Sequence, residues 1–154
     1  KGTLVLWYVH RIQEKSLGCI CKAGSSPITE VVEYGRSPTE KGLVIMDGPG
    51  YDMESMAGLG AAGCQLMVFT TGRGTPAGFA TVPVIKVSST SRLYIAMEDD
   101  IDVNAGAVLE GQSLERVADE IIELALDVME GRKTKAELNR QGSILCLATV
   151  CPAF

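Results

Sequence analysis

A loop rich in glycine and hydroxyl groups, with one arginine, is the segment of this sequence best suited to chemistry. It runs from Thr70 to Gly78, directly after the apolar segment 65–69, which predicts a buried strand. Glycine has no Cβ and tolerates positive φ, so such a loop can bring its backbone close to a ligand. Its N–H groups and the Arg73 guanidinium could bind a carboxylate or phosphate, the arginine in bidentate fashion.

This loop has two interpretations from composition alone, a ligand site and an ordinary glycine-rich turn. The position favours the first, because α/β proteins bind ligands at the carboxyl ends of parallel strands. Lys86 lies near the end of another predicted strand and is either a further substrate ligand or a surface lysine. The candidate substrate-binding residues are Thr70, Thr71, Gly72, Arg73, Gly74 and Lys86.

Acidic residues near strand ends could supply a metal site or an acid–base pair. Asp47 follows the buried strand predicted at 43–46, and Glu54 falls in the first turn of the next predicted helix, which Asp52 is expected to cap. Hard divalent metals prefer such oxygen ligands. Asp47 and Glu54 are therefore the metal candidates, although the helix dipole alone would favour an acid at position 54. Asp102 and Asn104 are interpreted first as parts of a turn.

Alternating strands and helices must position these residues. Apolar runs predict strands at 3–9, 43–46, 65–69, 83–87 and 144–150. Helical spacing and caps predict helices at 28–34, 52–62, 89–97, after Ser113 as far as Gly131, and a short last helix that Thr134 and Glu137 begin with a capping box. This order predicts an α/β fold, a Rossmann-like parallel sheet with helices on both faces. The strands ending at 46, 69 and 87 are expected to be neighbours or near neighbours.

Bulk properties narrow the class of protein. The chain has 154 residues, 46% of them hydrophobic, and a formal net charge of -5, which fits one globular domain. No basic stripe or membrane-length apolar run is present, so neither nucleic acid nor membrane is an expected partner. Five irregularly spaced cysteines favour reduced thiols and a cytoplasmic location. No G-x-G-x-x-G motif follows a strand, which argues against a nicotinamide cofactor.

The sequence resembles the carboxy-terminal part of the altronate/galactarate dehydratase family. The resemblance covers roughly positions 13 to 137, and the segments that carry it surround the loop, at 14–18, 42–50, 52–55, 83–87 and 100–106. It implies a hydro-lyase that removes water from a sugar acid, assisted by a divalent metal, iron or manganese. It also implies a longer enzyme of which residues 1–154 form one carboxy-terminal catalytic-type domain, with the other domains as partners.

The same resemblance assigns further roles. Lys15 matches the family pattern, and a lysine there could bind the substrate carboxylate or act as a base. With Glu54 and Arg73 it completes the predicted catalytic set. Residues 1–12 and 139–154 depart from the pattern, so the chain is expected to be inactive alone.

Three functional hypotheses follow, and a homo-oligomer is compatible with each. The first is a sugar-acid hydro-lyase of galactarate or altronate type. The second is a sulfolactate-type sulfo-lyase subunit of the same family, and the third is a non-catalytic ligand-binding or assembly module.

Overall fold

The computed structural model describes residues 24–143 and 145–147, residue 21, and the main chain of residues 4–9. The chain divides into two compact units. The first contains residues 1–64 and 145–154, and the second contains residues 65–144. Lys15, predicted to be catalytic, lies outside the described residues.

The first unit contains a parallel three-stranded sheet. Its strands are β1 (Leu4–Val9), β2 (Ile28–Val32) and β3 (Leu43–Gly48), in the order β1-β3-β2. In the register, Leu43 of β3 lies beside both Leu4 and Ile28. Helix α1 (Asp52–Ala61) follows β3 after a short turn. The carboxyl end of the central strand therefore leads directly into the first turn of a helix.

The helix predicted at 28–34 is wrong, because this segment forms β2 and the turn after it. Its apolar stripe contains only three side chains, which is too short to establish a period. Three of the five residues of β2 are Ile or Val and a fourth is Thr, and these β-branched types favour strands. Pairing with β3 then decides the conformation.

Asp52 is not the N-cap of α1, contrary to the sequence prediction. The cap position is held by Tyr51, which makes no side-chain capping bond, and Asp52 is the first helical residue. Packing positions this helix instead. A Cβ at Gly58 would lie 2.3 Å from Tyr34 Cε2, so only glycine lets the tyrosine ring lie directly on α1. The core beneath contains Val32, Val44, Met46 and Ala62.

The second unit contains another parallel sheet. Its strands are β4 (Met67–Thr71), β5 (Val84–Ser88) and the two-residue β6 (Val103–Asn104), in the order β4-β5-β6. Three α-helices accompany it, α2 (Ser91–Ala96), α3 (Leu114–Met129) and α4 (Lys135–Leu138), together with a 3-10 helix (Ala105–Glu110). The predicted caps are confirmed at two of them: Ser113 caps α3, and Thr134 and Glu137 form a capping box on α4.

The core of the second unit lies between its sheet and α3. Its buried members are Ile85, Val87, Val103, Val117 and Val128. At one end of the sheet a very close approach occurs, because a Cβ at Gly106 would lie 2.1 Å from the main-chain nitrogen of Ser91. Only glycine allows the 3-10 helix to begin against the start of α2.

The Rossmann-like α/β class predicted from the sequence is confirmed, since every strand pair in the described residues is parallel. The adjacency of β4 and β5 is also as predicted. In contrast, β3 pairs with β1 and β2, not with β4 or β5. Of the strand predicted at 144–150, residues 145–147 are irregular and the others lie outside the described residues. No helix in the described part of the chain could cross a membrane.

Candidate functional site

The glycine-rich loop leaves the sheet at the carboxyl end of β4, as predicted. Strand β4 extends to Thr71, two residues beyond its predicted end at Phe69. The main-chain N–H of Ser89 donates to the Thr71 carbonyl oxygen at 3.0 Å and keeps the ends of β4 and β5 together. The loop therefore starts from a fixed point at the edge where parallel sheets bind ligands.

Two threonine hydroxyls fold the loop back on itself. Thr71 Oγ1 accepts the N–H of Gly74 at 2.9 Å, and the buried Thr75 accepts the N–H of Ala77 through Oγ1 at 3.2 Å. Gly74 has a φ of +88°, and a Cβ there would lie 2.3 Å from Met97 Sδ. The glycine is thus required both for the turn and for the contact with the residue that ends α2.

The tip of the loop is left exposed and positively charged. Gly72 and Arg73 are both exposed, and their main-chain N–H groups make no hydrogen bond to another described residue. No described carboxylate lies within 4.0 Å of the Arg73 guanidinium. Two amides and a guanidinium are therefore available at the tip for an anion, whereas the amides of Gly74, Ala77 and Gly78 already have partners within the protein.

Lys86 lies beneath the loop, not on its surface. It is completely buried in β5, and its Nζ donates to the Pro76 carbonyl oxygen and to Gln141 Oε1, each at 3.0 Å. Burial lowers the pKa of this ammonium, Asp100 and Asp102 oppose the shift, and Lys135 adds to it. The predicted substrate-binding residue thus has its ammonium directed to protein acceptors.

Asp102 and Asn104 serve the fold, in agreement with their interpretation as turn residues. Asp102 accepts two main-chain N–H groups, from Lys86 through Oδ2 at 2.8 Å and from Lys135 through Oδ1 at 2.9 Å. Asn104 donates through Nδ2 to the hydroxyl of Ser91 at 2.9 Å. Both side chains join neighbouring elements at the edge of the second sheet.

The two predicted metal ligands belong to the first unit. Asp47 is exposed near the end of β3. Glu54 is half-buried in the first turn of α1, and its main-chain carbonyl oxygen accepts the hydroxyl of Tyr34 at 2.5 Å. This bond and the tyrosine contact at Gly58 hold the helix start that carries Glu54 against the segment after β2.

The described residues do not by themselves fit a divalent metal centre. Nowhere within them do three or more side chains of His, Cys, Asp or Glu converge in a way that could hold an ion. Asp47 and Glu54 supply at most a partial set of the oxygen ligands that a divalent ion takes.

A cleft in the second unit lies apart from the glycine-rich loop. It has a volume of about 370 Å³ and is lined by Tyr94, Glu98, Asp99, Lys135, Leu138 and Asn139. The Lys135 ammonium donates to the carbonyl oxygens of Glu98 and Ile101 and lies 5.4 Å from the centre of the Tyr94 ring. Lys135 in this cleft thus fastens α4 to the turn after α2.

Gln141 and Asp100 are the residues around the loop that sequence reasoning missed. Gln141 binds the Lys86 ammonium through Oε1 and donates through Nε2 to Asp100 Oδ1. Its main-chain carbonyl also accepts the N–H of Gly78 at 3.1 Å. No local pattern marks a single glutamine after a short helix, and Lys86 and Gln141 are 55 positions apart.

Comparison with known proteins identifies the class. The family model described as "D-galactarate/Altronate dehydratase, C-terminal" matches residues 9–150. The chain therefore belongs to the D-galactarate/altronate dehydratase C-terminal family, and the predicted resemblance is confirmed. The match extends beyond the range 13 to 137 on both sides.

Three curated relatives illustrate the similarity. The chain is 42% identical over 132 residues to an altronate dehydratase of Bacillus subtilis, which covers 85% of this chain and 26% of that protein. It is 40% identical over 123 residues to a galactarate dehydratase (L-threo-forming) of Escherichia coli, covering 79% and 24%. It is 34% identical over 128 residues to a (2R)-sulfolactate sulfo-lyase subunit beta of Chromohalobacter salexigens, covering 82% and 33%. The chain thus spans between about a quarter and a third of the length of these relatives.

Proposed function

We propose that this chain is the carboxy-terminal part of a hydro-lyase that removes water from a sugar acid of galactarate or altronate type. The observation that carries the proposal is the family match over residues 9–150. Relatives at 42% and 40% identity carry the names altronate dehydratase and galactarate dehydratase. Because those proteins are three to four times longer, the remaining domains of the enzyme are its expected partners.

The glycine-rich loop is the proposed substrate carboxylate site. Dehydration of a hydroxy acid begins with removal of the proton next to the carboxylate, which places negative charge on the carboxylate oxygens. Arg73 and the amides of Gly72 and Arg73 would bind this group and oppose the charge that develops there. The support from the structure is their exposure and their lack of partners among the described residues. Thr70, Thr71 and Gly74 form the base of this loop.

Acid–base catalysis is assigned to side chains outside the loop. Lys15 and Glu54 are the proposed residues of this chain, one able to accept the proton and the other able to assist loss of hydroxide. Iron or manganese remains a proposal, and such an ion would take most of its ligands from the rest of the enzyme, with Asp47 and Glu54 as contributors. Hence no catalytic step is assigned to a metal.

A sulfo-lyase is the second candidate, favoured by the 34% identity to a sulfolactate sulfo-lyase subunit. Sulfolactate is a hydroxy acid that carries a carboxylate as well as a sulfonate, so the Arg73 loop suits both substrates. Substrate choice would then depend on residues beyond this loop.

A chimeric enzyme tests the proposal. This chain would replace the matching 132 residues of the Bacillus subtilis altronate dehydratase, and the product would be assayed for water loss from altronate and galactarate and for sulfite release from sulfolactate. The control chimera carries the matching segment of the Escherichia coli galactarate dehydratase. We expect water loss from a sugar acid in the chimera and no turnover by the isolated chain. Sulfite release would support the second candidate, and a folded chimera inactive on all three substrates would contradict both.

A further inference from the structure

Lys86 is a buried lysine in the middle of a strand, and two hydrogen-bond acceptors explain how its ammonium is accommodated there. All five residues of β5 are buried. Removing an ammonium from water is costly unless hydrogen bonds compensate, and an apolar side chain of similar length would fill the same space without that cost. The Lys86 ammonium is compensated by acceptors from two separate segments, Pro76 of the glycine-rich loop and Gln141 of the segment after α4.

These two segments are in direct contact along the main chain. The N–H of Gly78 donates to the Gln141 carbonyl oxygen at 3.1 Å. A Cβ at Gly78 would lie 2.9 Å from Ala136 Cβ, and a Cβ at Gly142 would lie 3.0 Å from Ala80 Cα. The loop and the residues that follow it thus pack so closely against α4 and the segment after it that a Cβ at either glycine would be crowded, with Lys86 below both segments.

Gln141 is itself held from the other side. Its N–H donates to the Ala136 carbonyl oxygen at 2.9 Å, and its side-chain amide donates to Asp100 Oδ1. Asn139, two residues earlier, donates through Nδ2 to the Asp99 carbonyl oxygen at 2.8 Å. The acceptor that meets Lys86 is therefore fixed, and the ammonium connects the loop to a rigid support.

We propose that Lys86 is a positioning residue whose ammonium fastens the glycine-rich loop to the segment after α4, so that Arg73 is presented in one arrangement. We call the set Pro76, Lys86 and Gln141 the lysine bridge. In this arrangement Lys86 acts on substrate through the loop and does not contact it. The effect on the loop stands on the structure alone, whereas the effect on substrate rests on the proposed function.

Amide hydrogen exchange of the 154-residue chain tests the bridge without any substrate. Lys86→Met removes the ammonium and keeps a long unbranched side chain in the core. We expect exchange to become about tenfold faster at the Gly78 amide and across residues 74–80, with little change in β4 and α3, since local opening of one segment is independent of the global unfolding free energy.

Lys135→Met is the matched control, because its ammonium also donates to two carbonyl oxygens of the second unit but does not reach the loop. It should leave exchange in residues 74–80 unchanged. If Lys86→Met accelerated amide exchange equally in the loop and in the core, the lysine would act as an ordinary core residue, and the proposal would be overturned. If Lys86→Met does not fold, Gln141→Met provides the test. It removes one acceptor of the ammonium at a half-buried position and should accelerate amide exchange in residues 74–80.

Steady-state kinetics of the complete enzyme separates the two parts of the inference. Through the looser loop, Lys86→Met should raise KM for the sugar acid about tenfold and lower kcat less. Faster loop exchange with unchanged KM would leave the bridge intact and refute the role of the loop in binding. A raised KM with unchanged loop exchange would mean that Lys86 contacts substrate directly and would overturn the positioning role.

Discussion

Asp102 and Lys86 are joined by two hydrogen bonds that run in opposite directions. The main-chain N–H of Lys86 donates to Asp102 Oδ2 at 2.8 Å, and the N–H of Asp102 donates to the Lys86 carbonyl oxygen at 2.9 Å. The second oxygen of the same carboxylate accepts the N–H of Lys135, the first residue of α4. One residue, through its carboxylate and its main-chain N–H, therefore sets the positions of β5, the approach to β6 and the start of a helix.

Truncation of this carboxylate should destabilise the second unit. Asp102→Ala leaves two N–H groups without their charged acceptor, and a hydrogen bond to a charged group contributes roughly 1.5 to 3 kcal/mol. We expect the free energy of unfolding to fall by about 2 to 4 kcal/mol in urea titrations of the chain. Asp99→Ala is the control, because this exposed carboxylate makes no hydrogen bond to another described residue, and a surface change of this kind is worth about 0.5 kcal/mol or less. Similar small effects for both variants would contradict the structural role assigned to the Asp102 carboxylate.

The contribution of Lys86 to stability should increase with pH in the alkaline range. Its pKa is lowered below 10.5 in the folded state, first by burial, so between the folded value and 10.5 the unfolded chain binds more protons than the folded one. The free energy of unfolding then rises with pH across that window. The measurement is the difference in unfolding free energy between the wild type and Lys86→Met at several alkaline pH values, with Lys135→Met as the reference. A difference that falls as pH rises would show that the folded protein favours the charged amine.

Arg73→Lys should weaken substrate binding in the complete enzyme. A lysine retains the charge but loses the planar pair of donors that can bind both oxygens of a carboxylate. We expect KM for the sugar acid to rise by about tenfold to a hundredfold, which corresponds to about 1.4 to 2.7 kcal/mol. The control is Arg116→Lys, at an exposed position of α3, which should leave KM unchanged. Unaltered kinetics in Arg73→Lys would show that the loop is an ordinary glycine-rich turn and not a substrate-binding site.

Glu54→Gln addresses the proposed metal contribution of this chain. The substitution keeps the shape of the side chain and removes the anionic oxygen that a divalent ion prefers. In the complete enzyme we expect weaker binding of iron or manganese, measured by titration of the metal-free protein, and a lower turnover with an unchanged thermal unfolding midpoint. Asp52→Asn removes an acid from the same first turn and reports the effect of the helix dipole alone. Equal behaviour of the two variants would assign Glu54 to helix stabilisation.

Local signals account for the elements that were predicted correctly. The apolar runs at 43–46 and 83–87 lie inside β3 and overlap β5, and the caps at Ser113 and Thr134 each begin the helix that they predict. The segment 28–34 was misassigned because its conformation depends on pairing with β3, a partner further along the chain. Strand β6 has only two residues and offers no period to detect.

The candidate site also contains features that a local sequence pattern indicates and contacts that it does not. The loop and Arg73 were proposed as a site from composition, because glycines, hydroxyls and an arginine after a buried strand form a local signature, and their role in binding stays a prediction. The burial of Lys86 was not predicted, because a lysine at a strand end gives no sign of the acceptors that will surround it. Those acceptors, Pro76 and Gln141, come from opposite sides of Lys86 in the sequence and meet only in the folded unit.

The separation of Lys86 from Gln141 also orders the events of folding. Lys86 and its amide acceptor Gln141 are 55 positions apart in the sequence, so most of the second unit must be synthesised before the bridge can close. Contacts of such large sequence separation form late, because the entropy of closing the intervening chain opposes them. Strands β4 and β5 can pair early, whereas the loop between them cannot make its contacts with Gln141 until the segment after α4 is present. We therefore expect the conformation that presents Arg73 to be among the last features of this unit to form, after the chain has been completed through Gln141.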